Sequence, residues 1–148
     1  AGLHEEAIRE AERLLELDPR EADGHYYIGV ALDGQGRFED AIAAYERAIE
    51  INPEDPYYPA AVAYSYAMLG NREQAVLAAE QAQEAGVPLK ELALVYSAMG
   101  DMDTAFEWLE QAAETEPGTL STLDADPTSD ALRADPRYEE IMARLRTN

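Results

Sequence analysis

The chain repeats itself at a period of 34 residues. Ala7, Ala41 and Ala75 stand 34 residues apart, and so do Pro19 and Pro53. Gly2, Gly36, Gly70 and Gly100 each precede an alanine (Ala7, Ala41, Ala75, Ala105) by five residues. Around those alanines the same pattern returns: AIREAERL, AIAAYERA, AVLAAEQA and AFEWLEQA. The last step, from Ala75 to Ala105, is 30 residues, so the third connection is four residues short. A period of this length admits few architectures. Each unit is one supersecondary element that cannot bury its apolar face alone, so the units must stack.

Within each period the apolar residues follow helical spacing on two successive segments, for example 28 and 32, then 42, 45 and 49. The glycines at 36, 70 and 100 separate the two helices of a pair, and Asn71 and Asp101 are placed to cap second helices. Asp18-Pro19 and Asn52-Pro53 end one unit and start the next. Helices are expected near 3–17, 21–34, 38–51, 56–69, 72–85, 88–99 and 102–115, with a tight corner at Ala85–Pro88. Small residues at Gly29, Ala63 and Ala93 allow close approach of paired helices. The first unit lacks its first helix. This reads as a piece of a longer protein, or alternatively as a natural lone cap, and it would expose Ile8, Leu14 and Leu15, inviting a partner or self-association.

The pattern W-x2-L-G-x2-Y…A-x3-F…P and the 34-residue period resemble the tetratricopeptide repeat family over residues 1–117. Ile28-Gly29, Leu32, Ala41, Tyr45, Ala48 and Pro53 carry the match in the second unit. Val62-Ala63, Tyr66, Ala75, Ala79, Ala82 and a late Pro88 carry it in the third, and Leu92-Ala93, Tyr96, Ala105, Leu109, Ala112 and Pro117 in the fourth. The resemblance implies an all-α fold, a right-handed superhelix of antiparallel helix pairs with a concave groove. Residues 118–148 leave the pattern. Leu132-Arg133, Asp135-Pro136-Arg137 and Tyr138 are similar to an LRxDPRF-like ending found after the repeats of many bacterial family members. We expect a C-terminal capping segment there, with a final helix over 136–146 begun by Asp135 and Pro136.

In this family the first helix of each pair lines the groove. That places Asp23, Tyr26, Val30, Asp33, Tyr57, Tyr64, Lys90 and Leu94 as candidate partner-binding residues. Tyr26, Tyr57 and Tyr64 offer apolar area with a hydroxyl, which suits capture of a peptide or helix. Asp23 and Asp33 favour a basic residue on it. With one Lys and no Asn or Arg along this lining, the clamp by which some members hold an acidic C-terminus is not expected. A scaffold that self-assembles, or the regulatory arm of a larger enzyme or regulator, are the alternatives to a peptide-binding module.

Composition narrows the partners. Acidic residues number 31 against 11 basic ones, a net charge of −20. Phosphate backbones need a basic face, so nucleic acid is excluded as an expected partner, whereas a basic protein segment is attracted. No run approaches the length that spans a bilayer. There is no cysteine and no signal-peptide pattern at the start, which fits a cytoplasmic location. No catalytic constellation, metal site or cofactor motif is expected. His4 has no second histidine at zincin spacing, Asp124 and Asp126 lack the rest of a calcium loop, and carboxylate pairs among so many acids carry no signal. His25 and Trp108 are expected to pack between helices.

Overall fold

The computed structural model describes residues 2–147; the outermost residues of the two expected segments, 1 and 148, lie outside it. Seven helices come first: α1 (Gly2–Leu17), α2 (Ala22–Gly34), α3 (Phe38–Ile51), α4 (Tyr57–Met68), α5 (Arg72–Glu84), α6 (Leu89–Ala98) and α7 (Met102–Thr115). Every bound lies within one residue of the span expected from the repeat. The punctuation has a physical cause at Gly36. Its φ of 73° is open only to a residue without Cβ strain. There its N–H donates to Asp33 O at 2.8 Å and Arg37 N–H donates to Leu32 O at 2.9 Å, closing the last carbonyls of α2. The same pair of bonds recurs at Gly70, Gly86 and Gly100. Gly86 makes the tight corner that the shortened third connection requires. Asn71 and Asp101 then accept from Gln74 and Thr104 N–H at 3.4 and 3.3 Å, starting α5 and α7.

The helices pair as α2 with α3, α4 with α5 and α6 with α7, and α4 touches both α2 and α6 to make an inner row. Between the layers runs a core built on Ala41, Tyr45, Ala63, Ala79, Leu92 and Val95. A second core joins Ala93, Leu109 and Ala112 to Leu120, Leu123, Leu132 and Ile141 from beyond the repeats. Trp108 lies half-buried against both. His25, half-buried, has its pKa lowered by burial first and by Arg47 second. On α1 the expectation needs correction. Leu14 is exposed, but Ile8 packs against the core and Leu15 is half-buried beside Gly24, so α2 already covers part of the face expected to be open.

After α7 the chain turns through two 3₁₀ segments, Pro117–Ala125 and Pro127–Ser129, then α8 (Asp130–Arg133) and α9 (Pro136–Thr147). Two arginines hold this stretch. Arg133 donates through Nη1 to the carbonyls of Leu123, Asp124 and Asp126 at 3.0, 2.7 and 3.2 Å, and pairs with Asp130. Arg137 stacks over Phe106, 4.2 Å from the ring centroid, and reaches Asp103 and Asp135 at 2.9 and 2.8 Å. α9 is thereby tied to α7. Tyr138 O–H donates to Asp124 Oδ1 at 2.9 Å.

Close approach sets the pair geometry. A Cβ built on Gly29 would lie 2.3 Å from Tyr45 Cε1, and Tyr45 is buried on every side. Alanine normally outranks glycine within a helix by about 1 kcal/mol. We nevertheless expect Gly29→Ala to lower the unfolding free energy by about 1–3 kcal/mol through overpacking. Gly118→Ala, where nothing lies within 4 Å, serves as the control. Denaturant unfolding of the two variants checks this; an unchanged midpoint for Gly29→Ala would mean that the contact does not fix the pair.

Candidate functional site

The inner row leaves a cleft of about 650 Å³. Each helix contributes a stripe because residues three and four apart share a face. From α2 come Tyr26, Val30 and Asp33; from α4, Tyr57, Ala60, Ala61 and Tyr64; from α6, Glu91, Leu94 and Val95. Six of the eight candidate residues therefore meet there: Tyr26, Val30, Asp33, Tyr57, Tyr64 and Leu94. Val30 is 45% and Tyr57 41% exposed, so both present apolar surface to the cleft.

Asp23 and Lys90 lie outside the cleft lining. Asp23 accepts the Tyr58 O–H at 2.7 Å, a tie between α2 and α4. Lys90 donates to Thr122 Oγ1 at 2.9 Å and pairs with Glu91 at 3.1 Å, so it braces α6 against the segment after α7. Asp33 is in the cleft but already engaged. Its Oδ2 accepts from Tyr45 O–H and its Oδ1 from Ser65 Oγ–H, both at 2.8 Å. Ser65 is fully buried. One carboxylate thus links α2, α3 and α4. Burial raises the Asp33 pKa above 3.8, although both hydrogen bonds act in the opposite direction.

Tyr26 is equally committed. Its ring centroid lies 5.6 Å from those of Tyr27 and Tyr45 and 5.4 Å from that of Tyr58. Burial pushes its phenol up to about 12, with Glu91 the next cause. Tyr57 and Tyr64 are freer. Tyr64 is half-buried, and its phenol is also raised, first by burial and then by the charges of Asp33 and Asp126.

Several lining residues had no signal in the groove positions of the repeat. His4 reaches in from α1, over Gly34, where a Cβ would meet its ring at 2.3 Å. Asp126, Pro127 and Thr128 come from beyond the repeats. Asp126 accepts from Thr128 N–H and Oγ1–H at 2.9 and 2.6 Å, starting its short 3₁₀ turn. Asp124 and Asp126 are thus occupied by Tyr138 and Thr128. Beside the cleft, His4 and Val30 also border a smaller crevice of about 300 Å³ between α1 and α2, with Leu14 and Tyr27 on its walls.

Asp33 yields a pH test. Its proton binds more tightly in the folded chain than in the unfolded one, so its contribution to stability is fully present below the unfolded pKa and is lost as pH rises through the folded value. Measured against Asp33→Asn, wild type is expected to gain relative stability as pH falls from 7 towards about 4. Urea unfolding at stepped pH reads the difference; a flat or reversed trend would contradict the assignment of Asp33 as a desolvated carboxylate.

Models described as "Tetratricopeptide repeat" match residues 1–56 and 91–119, together more than half of the chain. No curated protein matches it. Among solved structures, the chain is similar to MamA MSR-1 C2, with 30% identity, a TM-score of 0.52 and coverage of 55% of this chain and 47% of that one. It therefore spans about half the length of that protein. It is also similar to a thermophilic TPR protein of Thermus thermophilus, at 26% identity and a TM-score of 0.70, covering 96% of this chain and 74% of the other. A kinesin light chain relative from Podosopora anserina, with nearly identical TPR-like repeats, matches at 20% identity and a TM-score of 0.56 over 99% and 86% of the two chains; at that identity it speaks to the fold alone.

Proposed function

Because the chain belongs to the tetratricopeptide repeat family, whose repeats mediate protein–protein interaction or scaffolding, we propose that it holds a segment of a partner protein in the cleft between α2, α4 and α6. The observation that carries this reading is the cleft itself, about 650 Å³ with Tyr57, Tyr64, Val30 and Leu94 on its walls. That volume is in the range of ligand-binding clefts. Tyrosine rings give apolar area at low entropic cost, and their hydroxyls can satisfy the polar backbone of an inserted segment. The net charge of −20 draws basic segments towards the chain and repels nucleic acid. We read it as an interaction module and assign it no reaction. Among the described residues no helix is long and apolar enough to cross a membrane.

A second reading rests on α1. Leu3 and Leu17 are 81% and 86% exposed, and Leu14 and Tyr27 border the crevice beside them. A second copy laid on this face would make a self-assembling scaffold. It predicts a mass in sedimentation that rises with concentration and returns to that of one chain in Leu14→Glu/Leu17→Glu. A single-chain mass throughout would exclude it.

Partner capture tests the leading reading. Tyr26 is unsuited to truncation, because its ring holds Tyr45 and Tyr58. We expect Tyr57→Ala/Tyr64→Ala to keep its helical circular dichroism and lose a partner retained by the wild type by at least about tenfold in affinity. Unaltered binding by that double variant would remove the cleft as the site.

A further inference from the structure

We infer that the turn Asp126–Pro127–Thr128 is the end wall of the binding cleft and supplies the carboxylate that receives a cationic side chain, lysine or arginine, of the bound segment. The inference rests on the cleft reading above and names the chemistry of what enters. It gives the segment after the repeats a role in recognition in addition to covering the last helix pair.

The first support is position. Residues 126–128 fall outside the repeat, yet they line the same cleft as Tyr64 and Leu94 because their 3₁₀ turn packs on α6. The turn is also fixed in place before any partner arrives. Ser129 is fully buried and donates to the carbonyls of Leu123 and Asp126 at 2.6 and 2.8 Å. Arg133 binds three carbonyls of the same stretch, and Leu123 and Leu132 anchor its two ends in the core. A wall held this firmly costs little to organise on binding.

The second support is charge. Three carboxylates border the cleft: Asp33, Glu91 and Asp126. Among the described residues no lysine or arginine lines it. Asp33 is committed to Tyr45 and Ser65, and Glu91 is matched by Lys90. Arg133 bonds only the main-chain carbonyl of Asp126, while its charge is met by Asp130. Both hydrogen bonds to the Asp126 side chain land on Oδ1. Neither Asp33 nor Asp126 has a cation among the described residues, but Asp33 has both oxygens engaged, whereas Oδ2 of Asp126 takes no hydrogen bond, so Asp126 is the cleft carboxylate open to a cation. Its charge reaches Tyr64, whose phenol it helps to raise. A tyrosine ring and an unmatched carboxylate at one end of an apolar cleft attract an ammonium or a guanidinium by the ring quadrupole and by the charge together.

Asp126→Asn separates charge from structure, since asparagine also caps such turns and can keep the bonds to Thr128. Glu114→Gln removes one charge from an exposed site on α7 outside the cleft and controls for the general acidity of the chain. Peptides selected on wild type from a random display library are sorted by whether Tyr57→Ala/Tyr64→Ala abolishes their binding. Cleft-dependent peptides are expected to share a lysine or arginine whose replacement by citrulline or norleucine weakens them. Asp126→Asn is expected to weaken the same peptides about three- to tenfold and to reduce their salt sensitivity, with Glu114→Gln within about twofold of wild type. Arms with lysine and with arginine at the shared position show which cation the wall prefers. Cleft-dependent peptides without a basic residue, or bound equally well by Asp126→Asn, would overturn this inference and leave the cleft reading standing. If no selected peptide depends on Tyr57 and Tyr64, both fall.

Discussion

Everything in this fold follows from how closely the inner helices can approach the outer ones. α2 lies against the ring of Tyr45 because position 29 carries no side chain. Fully buried Ala63 and Ala93 occupy the corresponding places on α4 and α6. With the layers this close, apolar stripes too narrow to support an isolated helix become one continuous core. Polar ties then select the register. Asp33 accepts from α3 and α4 together, and Asp23 accepts from Tyr58 of the next unit. A half-buried carboxylate such as Asp33 is costly unless both of its oxygens are satisfied, as they are here.

The cleft is a consequence of the same geometry. The small residues face the outer helices, so the larger side chains of the inner row turn to the other side, where they line the cleft. Tyr57 and Val30 are exposed for that reason. The stretch after α7 adds Asp126, Pro127 and Thr128 to the cleft lining. Its leucines complete the last core, Arg133 gathers the carbonyls of Leu123, Asp124 and Asp126, Arg137 ties α9 to α7, and its turn at 126–128 lines the cleft with Tyr64. Covering the end of the stack and shaping the cleft are thus achieved by one segment.

Much of this was legible in the sequence. The period placed all seven repeat helices, because glycine at the end of a helix and Asn or Asp at the start of the next are local signals. It also brought Tyr26, Val30, Asp33, Tyr57, Tyr64 and Leu94 to one stripe. What periodicity could not supply was the engagement of each side chain. Asp23, Asp33 and Lys90 look like free charges on a helix wheel, but their partners Tyr58, Ser65 and Thr122 lie 35, 32 and 32 residues away. Tyr26 reads as a contact residue until three neighbouring rings surround it. The segment after the repeats is out of phase with them, so the position of its turn in the cleft had no signal in the period. His4 enters by the same kind of long-range packing, over Gly34.

The proposed recognition uses the inner row and not α1 or the outer helices. The most direct measurement is an amide NMR titration of the intact chain with a selected peptide whose binding requires Tyr57 and Tyr64. Shift changes are expected to concentrate on α2, α4, α6 and residues 126–128. Changes concentrated on α3, α5 and α7, or on the exposed leucines of α1, would contradict it.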